Sequence, residues 1–175
     1  VGSEMCIRDR RSAAFDKTGT LTQGRPDLVD VRPATGIDAD ELLMLAASAE
    51  QYSSHVLAEG IRRAAAERRL VLRRSDDASE VATNGVVAVI DGRTVVVGKP
   101  AFVASLAADT VRATLGTGEA AAYVAIDGRF GGVLILADAP RPEATSVVSW
   151  LRSHGIERIM MPVSYTHLTL PTNRE

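Results

Sequence analysis

The sequence predicts an α/β chain in which a parallel sheet is interrupted by an inserted α+β domain with an antiparallel sheet. Three observations predict it. A short strand, Ala13 to Phe15, ends in a polar turn, Asp16 to Thr22. Two hairpin signatures lie in the middle of the chain. A strand–helix–strand pattern, which implies parallel pairing, closes it between Phe130 and Met161.

After the Asp16–Thr22 turn, Leu28 to Val31 lean towards a strand. Residues 39–49 predict a helix with Leu42, Leu43, Leu45 and Ala46 as its apolar stripe. A second helix is expected from Ser54, a good N-cap residue, with Leu57, Ile61, Ala64 and Ala65 buried. The first hairpin runs from Val86 to Ile90, turns at Asp91-Gly92 and returns over Thr94 to Val97. The second runs from Ala122 to Ile126, turns at Asp127-Gly128 and returns over Phe130 to Leu136. Asp-Gly suits such turns because both central positions need φ > 0. Residues 100–107 and 109–115 predict two short helices. A last helix opens at Pro142, closes at Gly155 and buries Ala144, Val147, Val148 and Leu151. Ile156 to Met161 then begin a strand.

Composition narrows the function. The chain of 175 residues is 46% hydrophobic but only 4% aromatic, so its core is built from Val, Leu, Ile and Ala. A net charge of −2 gives no case for non-specific nucleic-acid binding. The bunched Arg62, Arg63, Arg68, Arg69, Arg73 and Arg74 read as the wet face of a helix and its exit loop. One cysteine, Cys6, rules out an intramolecular disulfide. No stretch reaches the ~20 apolar residues of a membrane-spanning helix, and no signal peptide is evident. Residues 1–11 and 162–175 share no periodicity with their neighbours. They resemble translated sequencing-adapter sequence, with frayed native termini as the alternative.

The sharpest chemical signal is Asp16-Lys17-Thr18-Gly19-Thr20-Leu21-Thr22. A carboxylate at the carboxyl end of a strand sits where α/β sheets bind ligands. Gly19 permits a sharp turn and close approach of backbone to phosphate, and three threonines offer hydroxyl donors. Such a carboxylate can attack a phosphoryl group and form an aspartyl phosphate.

The seven-residue string resembles the phosphorylation motif of P-type ATPases, within the haloacid-dehalogenase-like superfamily. The resemblance implies catalytic roles for Asp16, Lys17 and Thr18, and Mg²⁺ held by the Asp16 carboxylate and the Thr18 carbonyl. Thr18 stands where many soluble phosphatases of the superfamily carry a second Asp, which favours an ATPase with a longer-lived phosphoenzyme. Glu50-Gln51-Tyr52-Ser53-Ser54-His55-Val56-Leu57-Ala58 is similar to the nucleotide-binding segment of the heavy-metal branch, with Val56 in place of Pro. There a Glu and a His contact adenine, matching Glu50 and His55. On one continuous helix a spacing of five turns two side chains ~140° apart, so the pair converges only if the helix breaks, for which Ser53-Ser54 is the candidate. Gly85 matches the second glycine of the family's Gly-x-Gly, with Thr83 in place of the first, and Gly98 matches a further pocket glycine. Asp138 and Arg141 match an Asp-x-x-Arg-Pro segment near the hinge and the nucleotide phosphates or ribose.

These matches imply a Rossmann-like phosphorylation domain over residues 12–26 and 137–161, incomplete at its end, with a nucleotide-binding domain inserted over 27–136. The expected partners are ATP, as substrate, and a heavy-metal cation bound by a membrane part outside this sequence. The parent is expected to be integral to the membrane, with this region cytoplasmic and itself soluble. No nucleic acid is expected. A soluble haloacid-dehalogenase-type phosphohydrolase and a non-catalytic nucleotide-binding module are the competing readings.

Overall fold

Asp91-Gly92 and Asp127-Gly128 each adopt positive φ at both positions, 51° and 76° in the first turn and 51° and 75° in the second. Both hairpins therefore close in the tight turns that match strand twist. The computed structural model describes residues 12–15 and 17–160. Asp16, the side chains of Lys17 and Thr18, both adapter-like segments and Met161 lie outside the described residues.

The chain divides into two units. Val1–Gly24 and Pro140–Glu175 form one, and Arg25–Ala139 the other. In the first, strand β1 (Ser12–Ala14) pairs in parallel with β8 (Arg158–Met160), Ala13 opposite Ile159. Helix α4 (Ala144–Ser153) precedes β8, but the strand before it in sequence, Arg129–Pro140, belongs to the other sheet, so the parallel pairing expected from the strand–helix–strand pattern forms between β1 and β8 instead. The predicted stripe of α4 is not buried: Ala144, Val148 and Leu151 are half-covered and Val147 is 43% exposed. A helix needs a second packed layer to hide its apolar side, and the described residues of this unit supply only two short strands. Lys17–Leu21 form a single wide helical turn. It is tied to Arg141, whose backbone N–H donates to the Leu21 carbonyl (2.8 Å).

The second unit is built on a six-stranded sheet in the order β2-β7-β6-β5-β4-β3. The strands are β2 (Thr22–Pro33), β3 (Ser75–Val81), β4 (Gly85–Ile90), β5 (Arg93–Gly98), β6 (Glu119–Ile126) and β7 (Arg129–Pro140). The β3–β4, β4–β5, β5–β6 and β6–β7 pairs are antiparallel. Helices α1 (Ala39–Ala49) and α2 (Val56–Glu67) cover one face, and α3 (Pro100–Leu106) helps cover the other. Alternation sorts the strand residues. Val95, Val97, Val124, Leu134 and Leu136 pack with Leu42, Leu43 and Ile61. Val96, Tyr123, Val133 and Ile135 pack with Val103 on the opposite side.

Two further expectations fail here, and one strand was not expected. Residues 109–115 are not helical. Their backbone is held instead by tertiary contacts, including donation from Ala113 N–H to the Tyr123 hydroxyl (3.0 Å). β3, with the sequence Ser-Asp-Asp-Ala-Ser-Glu-Val, went unpredicted because it lacks apolar alternation. It is an edge strand held by its pairing to β4, and its charges blunt the exposed edge. The arginines are not uniformly a wet face. Arg62 and Arg63 are half-buried, and Arg63 pairs with Asp27 and donates to the Pro26 carbonyl.

Candidate functional site

The loop between α1 and α2 sets the geometry of the site in the second unit. α1 ends at Ala49, Glu50–Tyr52 make a tight helical turn, and Ser53 becomes extended (φ −72°, ψ 137°). His55, also extended, caps α2: its Nδ1 accepts from the Leu57 backbone N–H (3.3 Å). A neutral imidazole that accepts at Nδ1 carries its proton on Nε2, which makes that nitrogen a donor. The helix break brings Glu50 and His55 to the same cavity, of about 120 Å³. Gly85, Gly98, Glu80 and Lys99 also line it. Cavities on the order of 150 Å³ accept a benzene ring, so the space suits one planar heterocycle with the remainder of its ligand outside.

Glu50 is the most unusual group in the wall. It is 6% exposed, and its Oε2 has no hydrogen-bond partner. Burial pushes its carboxyl above the usual carboxylate range. Nearby Glu80 adds to the rise, while Ser53, His55 and Arg62 oppose it. A buried carboxylate oxygen left unpaired is costly and is ready to accept a ligand N–H. The linkage has a definite sign. A Glu whose folded pKa is raised costs stability once the pH exceeds its unfolded value. Glu50→Gln is therefore expected to raise the melting temperature of the ligand-free chain at neutral pH. The gain should shrink as the pH falls through the raised folded value and be nearly gone below the ordinary Glu value of ~4.3. Thermal unfolding across that range measures it; equal midpoints at neutral pH would contradict the burial argument.

Gly85 and Gly98 stand opposite each other in the β4–β5 register. A Cβ on Gly85 would meet the Val97 carbonyl oxygen at 2.1 Å, and one on Gly98 would meet the Asn84 carbonyl oxygen at 2.4 Å. No side chain fits at either position, so the cavity wall is bare backbone there. Thr83, which also lines the cavity, adopts φ 65°. That conformation is uncommon for a β-branched residue and is natural to the glycine it replaces in the resemblance.

Glu50, His55, Gly85 and Gly98 are thus brought together. Asp138 does not line this cavity; its carboxylate accepts from the Arg25 backbone N–H (3.2 Å). Arg141 belongs to the other unit, where Nε donates to the Thr22 carbonyl and Nη2 to the Gly19 carbonyl, each at 3.1 Å. Asp16 lies outside the described residues, and Lys17 and Thr18 contribute backbone to the turn that Arg141 holds. Sequence reasoning missed Glu80 and Lys99. Glu80 sits in the unpredicted β3. Lys99 follows Gly98 directly, and its place at the end of β5 was the available signal.

A family model described as a haloacid dehalogenase-like hydrolase matches residues 11–167. The chain belongs to this family. As a haloacid dehalogenase-like chain it is 40% identical over 144 residues to the probable copper-transporting ATPase SynA of Synechococcus elongatus, covering 81% of this chain and 18% of that protein. The crystal structure of a zinc-transporting PIB-type ATPase in its E2.Pi state matches with a TM-score of 0.70 at 31% identity, over 86% of this chain and 25% of that one. The catalytic domain of the CPx-ATPase CopB-B, described for its conformational changes upon nucleotide binding, matches with a TM-score of 0.65 at 27% identity, over 87% of this chain and 54% of that one. The resemblance drawn from the Asp16 and Glu50–Ala58 segments therefore holds, as does the α/β fold with its antiparallel sheet. The chain spans 18% of the length of this curated relative. Among the described residues no helix is long and apolar enough to cross a membrane.

Proposed function

We propose that this chain is the nucleotide-binding and phosphorylation region of an ATP-driven heavy-metal transporter. In the intact parent it takes the γ-phosphate of ATP onto Asp16. The observation that carries the reading is the cavity that unites a buried, half-unpaired Glu50 with His55 and two obligatory glycines. Adenine presents an exocyclic amine to the Glu50 carboxylate and a ring nitrogen to the His55 Nε2–H. Its flat face lies against backbone at Gly85 and Gly98. Lys99, which lines the cavity, is a cation for the anionic end of the nucleotide.

Lys17 and Thr18 follow the nucleophile in the same turn, and Asp138 and Arg141 serve near the return of the chain to the phosphorylation domain. The parent is placed in a membrane with this region on the cytoplasmic side, and the metal cation is its cargo. Mg²⁺, which the resemblance implies, would be held by the Asp16 carboxylate and the Thr18 carbonyl and would neutralise the γ-phosphate. Among the described residues no group of three or more His, Cys, Asp or Glu side chains could hold an ion.

Titration of the chain with ATP tests the nucleotide reading. Saturable binding is expected, with the amide resonances of Gly85 and Gly98 and the His55 ring resonances moving together. His55→Ala should weaken binding by about ten-fold, the loss of one good hydrogen bond with its stacking surface. Unchanged affinity in His55→Ala would place adenine elsewhere. The isolated chain is expected to bind without steady turnover, so sustained phosphate release would also count against the proposal.

A further inference from the structure

We propose that Arg62 is the positioning residue of the adenine pair: its guanidinium staples the α1–α2 loop so that Glu50 and His55 face one cavity. This inference rests on the reading of that cavity as a nucleotide site.

Arg62 follows His55 on α2 by about two turns, so it lies above the helix start on the same side. Its Nη1 donates to the Glu50 carbonyl (2.5 Å) and to the Ser53 carbonyl (3.0 Å). One nitrogen therefore holds both ends of the helix break, at Glu50 itself and just before the cap formed by His55. Three neighbouring arginines are ion-paired instead: Arg63 with Asp27 and Glu59, Arg68 with Asp40, and Arg73 with Asp91. Arg62 forms no such ion pair among the described residues. Its half-buried guanidinium is committed to loop backbone.

The loop carries no buried apolar side chain, and its other hydrogen bonds are local ones, Ser53 N–H to the Glu50 carbonyl and His55 N–H to the Ser53 hydroxyl (each 3.2 Å), with His55 capping α2. A planar fork loses less freedom per hydrogen bond than an ammonium does, which suits it to holding two carbonyls in one geometry. The same cation lies near the buried Glu50 carboxylate, which also faces His55 at the start of α2 and Glu80 of β3, with Lys99 in the cavity lining. Removing Arg62 therefore frees the loop and raises the proton affinity of Glu50 together. An arginine that merely supported α2 would leave the loop in place and the His55 resonances unmoved.

The test compares the chain with Arg62→Met and Arg62→Lys. ATP affinity is measured by calorimetry, and the Glu50 carboxyl and His55 ring resonances by NMR without nucleotide. Misplacing a binding pair by an ångström is enough to cost ten-fold or more. Arg62→Met is expected to lose at least about ten-fold in affinity, to shift both sets of resonances, and to move the Glu50 titration to higher pH. Arg62→Lys should recover part of the affinity. If Arg62→Met lowers only the melting temperature, with affinity within about two-fold and both resonances unmoved, the proposal is overturned. If Arg62→Met does not fold, Arg62→Lys decides on the same two measures: shifted resonances with a several-fold loss support the staple, and wild-type values overturn it. If the wild-type chain fails to bind ATP, the nucleotide reading falls. The ligand-free resonances then still decide whether Arg62 orients Glu50 and His55.

Discussion

Asp16→Asn in the intact parent is expected to abolish the phosphoenzyme while leaving ATP binding largely intact. The substitution keeps the shape of the side chain but replaces an anionic oxygen nucleophile with a neutral amide. In the proposed step an Asp16 carboxylate oxygen forms a bond to the γ-phosphorus, the bond from that phosphorus to the β–γ bridging oxygen breaks, and ADP leaves with the electron pair. Without the carboxylate nothing accepts the phosphoryl group. Label from γ-phosphate-tagged ATP, trapped in acid and released by hydroxylamine, should fall to background, and metal transport should stop with it. Equal labelling of the variant and the parent would put the nucleophile elsewhere. The pocket residues Glu50, His55, Gly85 and Gly98 all lie in the other unit, which is why binding and phosphorylation should separate in this variant.

Gly85→Ala should destabilise the Arg25–Ala139 unit by about 3 kcal/mol, among the larger effects seen for single substitutions. The added Cβ would lie 2.1 Å from the Val97 carbonyl oxygen and 2.7 Å from the Gly98 Cα, both backbone atoms of the neighbouring strand. Neither can swing aside as a flexible side chain would, so β4 and β5 must separate at their first pair. For a domain of this size the melting temperature should fall by roughly 12 °C. Gly92→Ala is the control. Its Cβ would meet nothing within 4 Å, and its φ of 76° costs only left-handed strain, about 1 kcal/mol. Thermal unfolding followed by circular dichroism measures both. Similar midpoints for the two variants would mean that β4 and β5 are not in such close contact.

Local signals in the sequence were legible wherever local chemistry decides the outcome. The two Asp-Gly turns fix their hairpins because few residue pairs tolerate positive φ twice. α1 is bounded by Asp38, whose carboxylate accepts from the Asp40 and Glu41 N–H groups, and it buries the predicted Leu42, Leu43, Leu45 and Ala46. What stayed hidden depends on partners distant in sequence. β3 is a strand because β4 lies beside it, and β2 runs well beyond the Leu28–Val31 core for the same kind of reason. The predicted start of α2 at Ser54 moved because His55, not the serine, supplies the capping atom. In the site, the resemblance to the family's nucleotide-binding segments pointed to Glu50, His55, Gly85 and Gly98. Arg62 looked like one more solvated charge, since nothing in its local sequence shows that two loop carbonyls lie within its reach.

β2 and β7 begin and end the Arg25–Ala139 unit, yet they are neighbours in its sheet. On the ribosome β2 emerges first and has no strand to join until β7 follows, many seconds later at ordinary rates of synthesis. The β4–β5 and β6–β7 hairpins can zip locally in the interval, because hairpins need only microseconds. The last pairing to form is therefore the one that joins the beginning of the unit to its end. The cavity lined by Gly85 and Gly98 lies away from that pairing in the strand order.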